Sequence, residues 1–124
     1  MIDARDVVDC AVGALTGETK AIEGKTFVLT GPAPIGFADI AATLSGLIGR
    51  TVQYVPVPHQ AAIDSMIAMG VPQWIAEGYG ELDDGFEHGF ADLTTENVHA
   101  LSGHEPRDFE RFARDFTEVF APVA

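Results

Sequence analysis

Apolar residues recur at helical spacing in several stretches of the chain. The first stretch follows Asp3, which can cap a helix, and Asp6 stands where a capping box places an acid. Its apolar residues share one helix face: Val7, Val8, Ala11, Val12 and Leu15. The same spacing predicts further helices that begin near Phe37, Gln60, Pro72, Thr94 and Phe109. The chain is therefore expected to contain five to six helices.

Short runs rich in β-branched and aromatic residues alternate with the first helices. Residues 25–30 lie between glycines, and residues 51–58 include prolines that cannot donate hydrogen bonds to a β-ladder. Ile2 is interpreted as the end of a further short strand. The order of elements predicts an α/β fold with a small parallel sheet of about three short strands. This sheet is expected to be incomplete, because parallel strands normally have both faces covered and neighbours on each side.

The helix predicted over residues 72–88 contains three glycines, Gly78, Gly80 and Gly85. Each glycine lowers helix stability by about 0.5–1 kcal/mol relative to alanine. Two explanations stay open. The glycines allow close packing or a break in the helix, or they leave room for a ligand against the backbone.

The composition narrows the class of protein. A length of 124 residues predicts one domain over 1–124, and the net charge of −12 makes nucleic acid a poor partner. No apolar run is long enough to cross a bilayer and no secretory leader is recognised, so a cytoplasmic protein without a membrane partner is expected. Cys10, the only cysteine, lies beside the first apolar stripe and is expected to be a small core residue.

Five stretches together point to a known family, in order and with similar spacing. They are IDARDVV at 2–8, GKTFVLTGP at 24–32, FADIA at 37–41, GRTVQYVPVP at 49–58 and LSGHEPRDFERF at 101–112. This combination resembles the C-terminal half of NmrA-like proteins, atypical short-chain dehydrogenase/reductase relatives that bind NAD(P) on a Rossmann domain. The resemblance covers nearly the whole chain. It implies a single subdomain that completes the sheet of such a protein and builds its substrate pocket.

The motifs of dinucleotide binding and hydride transfer are missing from this sequence. No G-x-G-x-x-G or G-x-x-G-x-x-G turn joins a predicted strand to a helix, so no cofactor-binding residue is assigned, and NAD(P) is expected only with a Rossmann-bearing half. Tyr79 is followed four residues later by Asp83 instead of the lysine of a Tyr-x-x-x-Lys motif. No metal site is predicted, because the four histidines lack the i, i+4 pairing of a helical zinc site.

Three functions stay open. The first is a stand-alone or truncated NmrA-like subdomain that is not catalytic alone and binds a small apolar ligand or a partner through Trp74, Tyr79 and Phe86. The second is a cofactor-independent isomerase, cyclase or hydratase that uses the acidic and histidine cluster Asp83, Asp84 and His88. The third is part of an NAD(P)-dependent NmrA-like oxidoreductase or redox sensor. Whether the chain is an enzyme by itself is left open.

The predicted strand at residues 25–30 also indicates that the chain has a binding partner. Because an unpaired strand edge recruits another strand, the chain is expected to form a homodimer or to pair with a separate Rossmann-bearing chain.

Overall fold

The computed structural model describes residues 1–17 and 22–120. The helices are α1 Ala4–Thr16, α2 Phe37–Ile48, α3 His59–Ala68, α4 Gln73–Glu87, α5 Asn97–Ser102, α6 Phe109–Asp115 and α7 Thr117–Phe120. They begin close to the positions that the apolar spacing predicts. The last predicted helix is divided at Phe116, which ends α6.

The predicted parallel sheet is wrong: residues 1–17 and 22–120 contain no β-strand. The backbone of residues 25–30 accepts hydrogen bonds from side chains and does not pair with another strand. The carbonyl oxygen of Val28 accepts hydrogen bonds from Thr95 Oγ1 at 2.7 Å and Asn97 Nδ2 at 2.9 Å. Likewise, the backbone N–H of Val52 donates to Ser45 Oγ at 2.8 Å. A β-rich run becomes a strand only where a second strand pairs with it, and these runs have other partners.

The chain divides into two compact units. One contains residues 1–54 and 93–124, of which the structure describes 1–17, 22–54 and 93–120; the other contains residues 55–92. A single domain over 1–124 therefore stays a prediction, and each unit is described by itself.

In the first unit, α1 packs against α5, and α2 packs against α6 and α7. The contact between α1 and α5 is close at Gly13, where a Cβ atom would overlap the carbonyl oxygen of Leu101. Cys10 and Val98 are buried in this contact, and Cys10 Sγ lies 3.8 Å from the carbonyl oxygen of Val98. Burial and the nearby carboxylates raise the pKa of the Cys10 thiol, as expected for a core residue that is not a nucleophile.

In the second unit, α3 packs against α4. Gly80 is buried there, and a Cβ atom at this position would lie 2.7 Å from Ile63 Cδ1 and 2.9 Å from His59 Nε2. Close helix packing therefore explains this glycine. The space beside Gly78 is open, so packing does not explain that glycine. Among the described residues, no helix combines the length and apolar character needed to cross a bilayer.

Candidate functional site

A cavity of about 280 Å³ lies in the first unit. Three segments that are far apart in sequence form its wall. They are residues 1–4, the turn with Pro32, Ala33 and Ile35, and the start of α6 with Arg107, Asp108, Phe109 and Phe112. The lining is mostly apolar. The rings of Phe109 and Phe112 have centroids 6.0 Å apart and are tilted by 33°.

Asp3 fixes one side of the cavity. Its Oδ1 accepts the backbone N–H of Arg5 at 2.8 Å and so caps α1, as the sequence predicts. The Arg5 guanidinium donates to both oxygens of Asp3 and, through Nη1, to Asp115 Oδ2 at 2.6 Å. These hydrogen bonds lower the pKa of the Asp3 carboxyl group. The Arg5 side chain therefore connects the start of α1 to the end of α6.

An ion pair between Arg107 and the buried Asp6 fixes another part of the wall. The Asp6 side chain is 0% exposed, and its Oδ2 accepts the backbone N–H of Arg107 at 2.7 Å. The Arg107 guanidinium donates to Asp6 Oδ1 and, at 3.0 Å, to Asp9 Oδ2. Asp108 then caps α6 by accepting the backbone N–H of Arg111 at 2.7 Å. The segment that forms this part of the wall is thus held to α1 by both main-chain and side-chain bonds.

The sequence places Asp6 in a capping box, and the structure corrects this prediction. Its carboxylate bonds instead to Arg107, which lies 101 residues away. In the sequence, the LSGHEPRDFERF stretch contributes only to the family resemblance. Nothing local to Asp6 identifies its partner, because the pairing depends on the packing of α1 beside the segment before α6.

Asp6, Asp9 and His104 bring possible metal-ligand atoms within 4.8 Å of one another. The Arg107 guanidinium already donates to both carboxylates, and His104 Nε2 lies 3.0 Å from Asp9 Oδ2. A protein cation therefore occupies the position that a metal ion would need. This cluster is best described as an ion-pair network that supports the cavity wall.

His104 makes the stability of this network dependent on pH. The pKa of His104 is raised because the backbone carbonyl of Glu105 and then the Asp9 carboxylate bond to its ring. A raised pKa in the folded state means that protonation of His104 favours folding. This contribution is complete below the unfolded-state pKa, about 6.5, and is lost as pH rises through the higher folded-state pKa.

We expect the variant His104→Gln to lose stability relative to the original chain at about pH 5.5 and to differ much less at about pH 8.5. Urea unfolding midpoints at the two pH values measure this difference. The variant His88→Gln is a comparison outside this network: His88, the C-cap residue of α4, also has a raised pKa, so its loss should show the same dependence on pH. An equal loss for His104→Gln at both pH values would contradict the assignment.

The predicted ligand-binding residues lie in the second unit. Trp74, Tyr79 and Phe86 are on α4 and are 75%, 58% and 45% exposed. Tyr79 and Phe86 share a helix face, whereas Trp74 is turned away from it by its spacing. None of the three lines the cavity of the first unit. Their role in binding stays a prediction.

The predicted acid and histidine cluster also lies on α4. His88 Nδ1 is 2.7 Å from the carbonyl oxygen of Asp84 and 3.7 Å from its Oδ1, and both side chains are exposed. The carbonyl oxygen and then the Asp84 charge raise the pKa of His88. Asp83 is the preceding residue on the same helix. The structure thus places Asp84 and His88 together in solvent, and a catalytic role for the three residues stays a prediction.

Comparisons with known proteins show which proteins this chain is similar to. The chain is 33% identical over 119 residues to an NAD(P)H azoreductase of Xenophilus azovorans, covering 96% of this chain and 41% of that protein. It is 31% identical to the uncharacterized oxidoreductase YesF of Bacillus subtilis, over 90% of this chain and 38% of that protein. It is 29% identical to an agroclavine dehydrogenase of Claviceps fusiformis, over 96% of this chain and 40% of that protein. No family model matches the chain.

A comparison with solved structures gives the fold. The triphenylmethane reductase of Citrobacter superimposes with a TM-score of 0.79 at 23% identity, over 94% of this chain and 40% of that protein. A structure of the same reductase complexed with NADP(H) gives the same score. The chain thus has the fold of a part of this reductase, and the relatives that it matches include an NAD(P)H azoreductase and other oxidoreductases. It spans about 40% of the length of the relatives that it matches.

Proposed function

We propose that this chain is the substrate-binding part of an NAD(P)-dependent oxidoreductase. The observation that carries the proposal is the similarity to the azoreductase, which extends over 96% of this chain but only 41% of that protein. An apolar cavity with a wall fixed by ion pairs is a suitable place for a substrate. In this proposal the remaining part of the enzyme, on another segment or another chain, holds the dinucleotide.

The positions of the glycines support the proposal that the dinucleotide site lies outside this chain. Dinucleotide binding needs a glycine-rich turn that leads from a strand into a helix, where backbone N–H groups meet the phosphates. Gly46 lies inside α2 and Gly49 ends that helix with a left-handed φ of 68°. Gly78 and Gly80 lie inside α4. We therefore propose that the chain alone is not catalytic and that it acts with a Rossmann-bearing partner, which supplies the dinucleotide site.

A chimera tests this proposal. The region of the Xenophilus azovorans azoreductase that aligns with this chain is replaced by the chain itself. We expect the chimera to bind NADPH and to oxidise it in the presence of an uncharged azo dye. The isolated chain should do neither. NADPH absorbance at fixed dye concentration measures the activity, and native mass spectrometry measures NADPH binding and the oligomeric state.

The matched control is the azoreductase from which the aligned region is simply deleted. It should bind no dye and show no dye-dependent oxidation. NADPH oxidation by the isolated chain would contradict the proposal. A folded chimera that binds NADPH but transfers no hydride to the azo dye would contradict it as well.

A further inference from the structure

We infer that the cavity of the first unit binds a neutral, apolar ligand with one or two fused rings. This inference rests on the proposed function, because it names the class of substrate that the same site would accept. It depends on three features of the described residues: the size of the cavity, its aromatic wall and the ion pairs of Asp3 and Arg107, which line it.

The volume limits the size of the ligand. About 280 Å³ lies just below the roughly 300–1,000 Å³ that is typical of small-molecule sites. Phe109 and Phe112 supply a tilted pair of aromatic faces, and Ile2 and Ile35 supply aliphatic surface. Aromatic rings pack well against such surfaces in offset or edge-to-face arrangements. A flat ring system therefore fits the cavity better than a long flexible chain.

The charged side chains that line the cavity favour a neutral ligand. Asp3 uses both carboxylate oxygens to accept from Arg5. Arg107 donates to Asp6 and Asp9. Each of these groups already has a partner of opposite charge inside the protein. An ionic ligand would lose its hydration on entry without gaining a charge partner, whereas a neutral ring loses little.

The Asp108 carboxylate is stabilised differently, by the N-terminus of α6, because its Oδ1 accepts the backbone N–H of Arg111 as the cap of that helix. The pairing also fixes the cavity in the absence of a ligand. Because Arg107 is bound through its backbone and its side chain, the segment that leads into Phe109 is held before a ligand arrives. A preorganised wall reduces the ordering cost of binding.

Three probes of the same shape test the charge preference on the full chain. They are 2-naphthalenemethanol, which is neutral, 2-naphthoate, which is an anion, and 2-(aminomethyl)naphthalene, which is a cation at neutral pH. We expect the neutral probe to bind and each ionic probe to bind at least about tenfold more weakly. Isothermal titration calorimetry measures all three. Equal affinities, or tighter binding of either ion, would overturn the inference.

A variant that fills the cavity tests whether the ligand binds there. Ala33 lines the cavity and is exposed, so Ala33→Trp should place an indole ring in the opening without disturbing the core. We expect it to weaken binding of 2-naphthalenemethanol at least about tenfold. Ala38→Trp is the matched control, because Ala38 is an exposed residue on α2 that does not line the cavity. It should leave binding unchanged. Equal binding by both variants would overturn the location.

The same substitution separates this inference from the proposed function. In the chimera, Ala33→Trp should raise the KM for the dye while NADPH binding stays the same. An active chimera whose KM does not respond to Ala33→Trp would contradict the cavity inference and leave the proposed function standing. An inactive chimera that binds NADPH would contradict the proposed function, whatever the isolated chain does with the naphthalene probes.

Discussion

Gly13→Ala is expected to destabilise the protein by about 2 kcal/mol, although alanine favours a helix by about 1 kcal/mol over glycine. Gly13 lies inside α1, where that preference should apply. However, its Cβ atom would overlap the carbonyl oxygen of Leu101 and lie 2.9 Å from the carbonyl carbon. Both are backbone atoms of α5, so no side-chain rotation can make room. Overpacking of this kind costs about 1–3 kcal/mol and occasionally more, because α1 and α5 must move apart.

Gly46→Ala is the matched control for this prediction. Gly46 also lies inside a helix, α2, but no heavy atom comes within 4 Å of its Cβ position. This variant should gain about 0.5–1 kcal/mol from helix propensity. Urea unfolding of both variants measures the two changes. If Gly13→Ala were as stable as Gly46→Ala, the close approach of α1 to α5 would be wrong.

The helix boundaries could be predicted from the sequence because short-range interactions determine them. Asp3 caps α1, as predicted, by accepting the N–H of a residue two positions later. Gly49 ends α2 with a left-handed φ of 68°, which glycine adopts without strain. At the start of α2, Asp39 Oδ2 accepts the backbone N–H of Gly36 at 2.8 Å. Each signal lies within a few residues of the helix end that it stabilises.

The predicted sheet failed because strand formation depends on distant partners. Residues 25–30 have the composition of a strand, but composition does not reveal what the backbone bonds to. Here Thr95 and Asn97 bond to the carbonyl oxygen of Val28, and Thr95 N–H also donates to Thr30 Oγ1 at 2.9 Å. These contacts join residues more than 60 positions apart. No periodicity within residues 25–30 encodes them.

The candidate site was only partly predictable for the same reason. The spacing of Phe109 and Phe112 indicates a shared helix face, but whether that face meets the core or a cavity depends on residues 1–4 and on the turn at Pro32. The predicted binding residues lie on a single amphipathic helix, α4. A cavity formed by three separate segments leaves no such local pattern.

Asp6→Ala is also expected to have a large effect: it should lower the free energy of unfolding by about 3 kcal/mol. Asp6 is fully buried, and its removal leaves the backbone N–H of Arg107 without an acceptor and the guanidinium without its buried partner. Removing one member of a buried pair costs about 3–5 kcal/mol. The expected value lies at the low end, because the Arg107 side chain is 27% exposed and keeps its bond to Asp9.

Asp9→Ala tests whether the burial of the Asp6 carboxylate, and not only its negative charge, causes the expected loss of stability. Asp9 lies on the same helix and bonds to the same arginine, but its side chain is 40% exposed, whereas that of Asp6 is 0% exposed. Water can replace part of what Asp9 supplies, so its removal should cost clearly less than the removal of Asp6. Thermal and urea unfolding of the two variants give the comparison. If both variants lost the same stability, the charge of α1 and not the buried bond to Arg107 would hold the cavity wall in place.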